Sequence, residues 1–408
     1  MIEEFTILSC EQLPAIEDAL FAAAPLIRHL EISMLKNPEA LGHLQQCRLL
    51  ERIRSLRIKH SQVGDRGLEL ISNCTGFQRV QSLEVAHCEL GSRGLTALGL
   101  HSPFEHLLSL EIGTCSFPDP STKSMSRSFR PDAVWGLKQF PKLQELLVGS
   151  YHGPADISDL CNHSRPLRRL SISNLKRDDL QRLAQSGVLD EVEDLSLSGS
   201  ELGIDLSRCQ QLRKLSLTSC DLDDNGLAEL LNNLSPGLIR LDLSDNRLTD
   251  LGIQRLAACP AFANLRYLHL GANQWRQAGA EALAQSQYLT KLVALKVNNT
   301  PLGPRAVQTI VQSPIVDQLR FLDVWETRCG DIGAQAIATA RGLKKLNWLN
   351  LDDNGVGPNG AEALANSQTL NEITAFRFDN PANAQTLAML IDRFGQTALK
   401  SYWRGYLI

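Results

Sequence analysis

Five consecutive lines of 27 residues decide how this chain folds. They read LIRLDLSDNRLTDLGIQRLAACPAFAN (238–264), LRYLHLGANQWRQAGAEALAQSQYLTK (265–291), LVALKVNNTPLGPRAVQTIVQSPIVDQ (292–318), LRFLDVWETRCGDIGAQAIATARGLKK (319–345) and LNWLNLDDNGVGPNGAEALANSQTLNE (346–372). Each line opens with the spacing L-x-x-L-x-L-x-x-N-x-L, with small variations, and closes with an apolar pattern of helical period. The opening predicts a short strand with one buried face, and the close predicts an amphipathic helix. Because no single unit can bury its apolar side alone, the pattern predicts a stacked array.

The recurrence resembles the leucine-rich repeat family, in particular its ribonuclease-inhibitor-like branch with bacterial-type repeats of about 27 residues. The resemblance implies an α/β fold, a right-handed horseshoe with a parallel sheet on its concave side and helices on its convex side. An arc is expected because helices need more lateral room than strands, which lie about 4.8 Å apart. Counting from Ile27 gives 14 strand motifs.

Two further positions of the repeat carry structural predictions. A small residue recurs near the start of each helix, and we expect a larger side chain there to hold the helix off the strand side. This position is occupied by Gly252, Gly279, Ala306, Gly333 and Gly360.

A polar residue recurs where the chain leaves each strand. Asn246, Asn273 and Asn354 occupy this slot. We expect their amides to bond buried loop backbone of their own and the next repeat, as a ladder. The other occupants are small or polar as well: Cys88, Cys115, Ser200, Cys220, Thr300 and Thr327.

The repeat also predicts the domain organisation, which is one continuous solenoid domain. Residues 1–26 form an N-terminal cap of one strand and one helix, residues 27–380 the repeat array, and residues 381–408 a C-terminal cap. Repeats around 143–211 are short and irregular, and one step of 20 residues leaves no room for a full helix. The insertion at 116–134 is either a tolerated surface loop or a binding loop on a rigid scaffold.

Composition narrows the function classes. A net charge of −4 argues against nucleic acid as the main partner. The opening residues lack a basic and apolar leader, and no run reaches about 18 apolar residues, so neither a secretory signal nor a membrane span is expected. The ten cysteines follow no disulfide or CxxC spacing. Reduced thiols in a cytoplasmic protein are the prediction.

The sequence holds no catalytic constellation. The motifs G-x-x-x-x-G-K-[ST], G-x-S-x-G and H-E-x-x-H are absent from it. We therefore expect a non-enzymatic protein with no catalytic residue, no cofactor and no metal. His60 and His87 share one slot in neighbouring repeats, and they are either half of a metal site, a pH-sensitive pair, or two surface histidines.

The repeat positions that face solvent on the sheet give the candidate site. In the central repeats these positions hold small polar or charged residues such as Asp194, Ser196 and Lys214. In the C-terminal repeats they hold aromatic rings among charged groups. The predicted partner-binding residues are Tyr267, His269, Phe321, Asp323, Trp325, Glu326, Trp348, Asn350, Asp352, Asp353 and Arg377.

Three aromatic residues, Phe321, Trp325 and Trp348, allow two interpretations. Exposed aromatic rings beside charge are typical of an interface hot spot, and the surrounding carboxylates favour a basic partner. The alternative is that the rings shield one another inside a tight arc. Trp275 replaces the loop leucine of its repeat instead, and is predicted to lie in the core.

The functional prediction is a protein–protein interaction scaffold that binds a partner protein on its concave face. The family resemblance implies the same, since such horseshoes usually bind proteins. One alternative is a regulator of an enzyme, similar to inhibitor-like or GTPase-activating-like members, although the latter typically carry an acidic C-terminal tail that this sequence lacks. A ubiquitin-ligase-type effector would need a separate catalytic domain. The last alternative is a purely structural repeat protein.

Overall fold

The computed structural model describes residues 4–7, 13–23, 26–88, 90, 92–100, 103–113, 140–149, 157, 160–161, 167–201, 203–378 and 384–395. The predicted insertion at 116–134 lies outside these residues. The chain divides into two compact units, Met1–Gln211 and Leu212–Ile408. One continuous domain therefore stays a prediction, and each unit is described by itself.

The first unit is a parallel sheet with helices. Its strands are β1 (Glu4–Ile7), β2 (His29–Ser33), β3 (Ser55–Lys59), β4 (Ser82–Ala86), β5 (Ser109–Ile112), β6 (Glu145–Val148), β7 (Arg169–Ser171) and β8 (Asp194–Ser196). Its helices are α1 (Leu13–Ala23), α2 (Gly64–Ser72), α3 (Ser92–Leu100) and α4 (Arg177–Gln185). Each strand pairs in parallel with the next in chain order. The described part of the first 26 residues contains one strand and one helix, β1 and α1, and their role as an N-terminal cap stays a prediction.

The second unit repeats a shorter strand and a helix. Its strands are β9 (Lys214–Ser216), β10 (Arg240–Asp242), β11 (Tyr267–His269), β12 (Ala294–Lys296), β13 (Phe321–Asp323), β14 (Trp348–Asn350) and β15 (Ala375–Arg377). Its helices are α5 (Asp224–Asn232), α6 (Asp250–Ala257), α7 (Gln277–Ala284), α8 (Gly303–Val311), α9 (Gly330–Thr339), α10 (Pro358–Ala365) and α11 (Ala384–Phe394). The strands again pair in parallel and in chain order. The strands β2 to β15 correspond to the 14 predicted motifs, and the predicted α/β solenoid of strand–helix repeats is confirmed.

Leucines at equal repeat positions build the core. Leu241, Leu268 and Leu295 are fully buried, and the register places them side by side on β10, β11 and β12. Because side chains alternate across a strand, the residues directly before and directly after each of these leucines point to the opposite side of the sheet. We call that opposite side the sheet face of a unit.

The asparagine ladder is confirmed, with one correction of direction. Asn246 Oδ1 accepts from the N–H groups of Cys220 and Leu222 at 3.0 and 2.9 Å, and its Nδ2 donates to the Leu217 carbonyl oxygen at 2.8 Å. It also donates to two carbonyl oxygens of its own repeat at 3.0 and 3.1 Å. The amide therefore joins its own repeat to the preceding one, not to the next one. The same pattern recurs at Asn273 and Asn354.

The small residue at the helix start has close neighbours, as predicted, and one of them is a carboxylate that the prediction did not include. Asp250 Oδ1 accepts from the N–H groups of Arg276 and Gly279, at 2.7 and 2.8 Å, where helix α7 begins. A Cβ atom at Gly279 would lie 2.9 Å from that oxygen. The Trp275 side chain of the same repeat would lie 3.0 Å from that Cβ atom, and at Gly333 the atom nearest to such a Cβ is Cys329 Cβ. The crowding therefore comes from a carboxylate of the preceding repeat at some positions and from a buried side chain of the same repeat at others. Equivalent bonds join Asp331 to Gly360 and Asp65 to Gly94.

Other predictions concern single elements. Described residues in 197–211 form turns and no helix, as the 20-residue step predicted. Trp275 is fully buried, and its Nε1 donates to the Leu270 carbonyl oxygen at 3.2 Å, which confirms the core assignment. Among the described residues, no helix is long and apolar enough to cross a membrane.

No disulfide joins any two of the eight described cysteines, and Cys10 and Cys115 lie outside the described residues. Burial raises the pKa of the Cys47, Cys209 and Cys329 thiols to about 12. These side chains are therefore protonated packing groups rather than reactive thiolates.

Candidate functional site

Parallel pairing brings the predicted aromatic residues of the second unit into one row. The register places Tyr267, Ala294, Phe321 and Trp348 side by side on successive strands. The rings of Phe321 and Trp348 stack face to face, with centroids 3.8 Å apart and planes within 6°. Such a pair contributes about 0.5–1.5 kcal/mol beyond the area that it buries. The stack also fixes both rings before any partner arrives.

The two stacked rings differ in what they offer to a partner. Phe321 is only 7% exposed, so its prediction as an exposed ring is wrong, and mutual shielding applies to it. Trp348 is half-buried, and the next residue of the row, Ala375, places only a methyl group beside it. Trp348 therefore keeps accessible aromatic surface.

Trp325 lies just beyond the end of β13 and is held by two carboxylates. Its backbone N–H donates to Asp323 Oδ1 at 3.2 Å, and its Nε1 donates to Asp353 Oδ2 at 2.8 Å. Glu326 and Asp353 are exposed, and both adopt the left-handed backbone conformation, with φ of 54° and 55°. We call Glu326 and Asp353 the loop edge of the site.

Two other predicted site residues are buried, contrary to the expectation that they face solvent. Asn350 is 4% exposed and Asp352 is 7% exposed. Asp352 Oδ2 pairs with Arg377 Nε at 2.8 Å, and Asn350 Oδ1 accepts from the Asp352 N–H at 3.1 Å. Of the four carboxylates that the sequence places around the rings, Asp352 is withdrawn into an ion pair and Asp323 is partly covered.

His269 is held between two oxygen atoms. Its Nδ1 lies 3.1 Å from the Asp242 carboxylate, and its Nε2 lies 3.0 Å from Asn298 Oδ1. Burial alone would raise the pKa of Asp242, but hydrogen bonds from His269 and Ser244 outweigh it and lower the pKa to about 2. Asp242 therefore stays ionised and fixes the imidazole ring.

Two cations that the sequence analysis left out of the site contact its rings. Lys296 Nζ lies 5.8 Å from the Tyr267 ring centroid and 5.1 Å from that of Phe321. The Arg240 guanidinium lies 4.0 Å from the Tyr267 centroid. Burial lowers the pKa of Lys296, as does the charge of Arg240, whereas Asp323 and Asp242 act in the opposite direction. The signal in the sequence is their position, because both occupy the same strand positions as the predicted residues.

Burial also raises the pKa of Asp323, more than the neighbouring N–H of Trp325 and the charge of Lys296 lower it. This half-buried carboxylate is thus poorly suited to act alone as an exposed anion.

The histidine pair of the first unit does not form a metal site. The rings of His60 and His87 stack with centroids 4.8 Å apart and planes within 5°. Face-to-face stacking keeps their nitrogen atoms in parallel planes rather than directing them to one ion. The described part of the chain contains no group of three or more His, Cys, Asp or Glu residues that could hold a metal ion.

Comparison with known proteins gives sequence and structural matches. The leucine-rich repeat model matches residues 80–99, 208–231, 237–257 and 342–365. No curated protein matches this sequence.

Among solved structures, the chain is similar to one from the yeast Rad7 and Elc1 complex, with a TM-score of 0.51, 15% identity, and coverage of 81% of this chain and 76% of that chain. It is also similar to an internalin of Listeria monocytogenes, with a TM-score of 0.49, 19% identity, and coverage of 97% and 96%. A chain of the mouse RP105/MD-1 complex matches with a TM-score of 0.42, 16% identity, and coverage of 92% and 71%. At these identities the likeness concerns the fold alone.

Proposed function

We propose that this leucine-rich repeat protein is a non-enzymatic interaction scaffold that holds a partner protein on the sheet face of its second unit. The leucine-rich repeat fold is typical of protein–protein interaction scaffolds. The 27-residue strand–helix repeats favour the ribonuclease-inhibitor-like branch. The eight described cysteines form no disulfide with one another, which favours a reducing compartment such as the cytoplasm.

One observation carries the proposal, which is the stack of Phe321 and Trp348. Phe321 is buried and supports one face of Trp348, while Trp348 is half-buried and keeps accessible surface. A solvated sheet gains little from such a ring, and tryptophan is enriched among the residues that dominate interface energies. Because the stack already orders the Trp348 side chain, a partner would lose little conformational freedom by binding it.

Trp325 and the loop edge extend the surface beyond the strand ends. The hydrogen bond of 2.8 Å from Trp325 Nε1 to Asp353 holds the indole in place. Glu326 adds a second exposed carboxylate there. We propose Trp348 as the central contact and Trp325 with the loop edge as the polar border.

The first experiment locates the partner. A photo-crosslinking amino acid in place of Ala375, next to Trp348 in the row, is used in lysate to capture a protein that mass spectrometry then identifies. Excess untagged wild-type protein should suppress the crosslink, whereas excess Trp348→Ala should not. The crosslinker in place of Leu251, which is 47% exposed on α6, is the matched control on the helix side.

The second experiment measures affinity for the identified partner. Trp348→Ala should weaken binding by roughly 30-fold, which corresponds to about 2 kcal/mol for a hot-spot ring. Leu251→Ala should bind as wild type. Unchanged affinity of Trp348→Ala, with circular dichroism showing an intact fold, overturns the proposal. Deletion of residues 116–134 is the rival test, since loss of binding there alone would assign the partner to that loop.

A further inference from the structure

The charges on the sheet face of the second unit are layered. The Arg377 side chain is 42% exposed while its partner Asp352 is 10% exposed. Asp242 and His269 are each 16% exposed as side chains. Lys296 is less deeply buried than Asp242 and Asp323, and Arg240 is half-buried. A partner that approaches the strands therefore meets cations before it meets carboxylates.

Lys296 occupies the middle of this layer. Tyr267 and Phe321 are two strands apart, which is roughly 10 Å. A nitrogen atom 5.8 and 5.1 Å from the two ring centroids lies between the rings. The methyl group of Ala294 lies below, on the same strand. The rings and the backbone thus hold the ammonium group in place, with its approach open only from the solvent side of the sheet.

Resting on the proposed function, we propose that the partner presents an acidic segment that crosses the strands, with one carboxylate over Lys296 and another over Arg377. Trp348 lies on β14, between the strands of these two cations and two residues before their row, and would contact an apolar side chain between the two acidic residues.

The spacing follows from the sheet. Lys296 and Arg377 lie three strands apart, on β12 and β15, which is roughly 14 Å at about 4.8 Å per strand. An extended peptide covers about 3.4 Å per residue, so the two acidic residues should be about four positions apart. An arrangement such as E-x-Φ-x-E, where Φ is a large apolar residue, fits this distance.

The same layering disfavours a basic segment on the strands. Two of the carboxylates beneath are already engaged, Asp352 by Arg377 at 2.8 Å and Asp242 by His269 at 3.1 Å. The third, Asp323, lies in the register between Lys296 and Arg377 and is more deeply buried than Lys296. An incoming lysine or arginine would face the charges of Lys296 and Arg377, and like charges at an interface act against association. Basic groups of the partner would instead find Glu326 and Asp353 at the loop edge. The basic partner expected from the sequence thus gives way to one that is acidic over the strands.

The test uses a display library of random 12-residue peptides selected on the immobilised full-length protein, followed by fluorescence anisotropy with the most enriched peptide. We expect enrichment of Asp and Glu about four positions apart around an aromatic or large aliphatic residue. Lys296→Glu should weaken binding at least 10-fold, and replacing the facing acidic residue of the peptide by lysine should restore it. Lys291→Glu, the same charge change at an exposed lysine bonded to Asn264, should leave binding unchanged.

The outcomes separate this inference from the proposed function. Peptides that need Trp348 but are basic, or indifferent to Lys296→Glu, overturn the acidic segment and keep the scaffold. Peptides that bind Trp348→Ala as well as wild type overturn both. No enrichment overturns the acidic segment alone, because the crosslink at Ala375 tests the scaffold independently. Lys296→Gln is measured alongside, so that a folding defect of the glutamate variant cannot imitate the loss.

Discussion

The two units place different chemistry on the same positions of the repeat. In the first unit, the register sets Arg57, Glu84 and Glu111 side by side, and Lys59 Nζ lies 2.8 Å from Glu84. In the second unit, the row that corresponds to Arg57, Glu84 and Glu111 carries His269, Lys296 and Asp323. The stacked rings occupy the other row, where the first unit has Ser55, Ser82 and Ser109. The strands of both units pair in parallel and in chain order. Because the same backbone pattern supports the sheet faces of both units, the residues on these faces can differ without changing the fold. Binding specificity can therefore depend on the sheet-face residues.

The loop slot behind each strand shows a second difference. In the first unit Ser61 fills it, accepting from the Leu35 N–H at 3.0 Å and donating to the Lys59 carbonyl oxygen at 2.8 Å. In the second unit Asn246 makes five hydrogen bonds to backbone groups. The longer amide satisfies groups of two repeats at once, so a single side chain of the second unit joins more of the structure.

Of the changes that test this comparison, Asn246→Leu should have the largest effect on the free energy of unfolding. Asn246→Leu leaves the N–H groups of Cys220 and Leu222 and the carbonyl oxygen of Leu217 without this partner. The carbonyl oxygens of Leu243 and Ser244 keep a second donor each, from Asn273 Nδ2 and the Ser219 N–H. At about 1–3 kcal/mol for each unsatisfied buried group, partly relieved by relaxation, we expect a loss of about 3–5 kcal/mol. Urea unfolding followed by circular dichroism measures it. Ser61→Ala is the matched change in the first unit and should cost about 1 kcal/mol. Equal losses in the two variants would contradict the comparison.

A smaller effect is expected at Asp242, whose pKa is lowered to about 2. A lowered carboxyl pKa contributes stability above the ordinary value near 4, and this contribution is lost as the pH falls through the folded-state value. Asp242→Asn should therefore cost about 2 kcal/mol at pH 7, with the deficit shrinking as the pH falls from about 5 towards 2. The measurement is the free energy of unfolding of both proteins across that range. A deficit that does not change with pH would exclude the linkage.

The smallest effect has the opposite sign and lies in the first unit. Burial raises the pKa of Glu111, and the charge of Glu84 adds to this rise. A raised carboxyl pKa means that the charged form disfavours folding above that pKa, so Glu111→Gln should stabilise the protein slightly at pH 7. The gain should fade as the pH falls below the ordinary glutamate range. Glu145→Gln on β6 removes the same charge and serves as control. A destabilised Glu111→Gln variant at neutral pH would refute this prediction.

The sequence predicted the features that recur within one repeat. The strand motifs, the asparagine slot and the buried Trp275 could be predicted because each follows from spacing and side-chain type alone. The candidate site could be predicted only in outline. Whether Asp352 is exposed depends on Arg377, which lies one repeat further along the chain, and the covering of Phe321 depends on Trp348 in the same way. The exposure of a residue on the sheet face depends on the side chains of the neighbouring repeats, so it cannot be predicted from the sequence of one repeat alone.

The carboxylates at the helix starts were missed although the sequence carried a signal. Asp precedes the recurring glycine by two residues at 65–67, 250–252 and 331–333. Spacing within one repeat suggested an interaction within that repeat, whereas the hydrogen bonds go to the helix of the following repeat.

These carboxylates have a consequence for how such a chain can lengthen or shorten. Asp250 caps the helix that follows it, while Asn273 of that following repeat bonds the Leu243 carbonyl oxygen and the Leu248 N–H before it. Each junction is thus tied in both directions by side chains that belong to different 27-residue lines. If one 27-residue repeat were deleted, the two repeats that flanked it would become neighbours. An equivalent Asp and an equivalent Asn would then meet at the new junction, provided that both repeats carry them. Any stretch of one period, wherever it starts, could therefore be duplicated or deleted with the junction contacts kept. Recombination within such a gene need not occur at the ends of a strand or a helix.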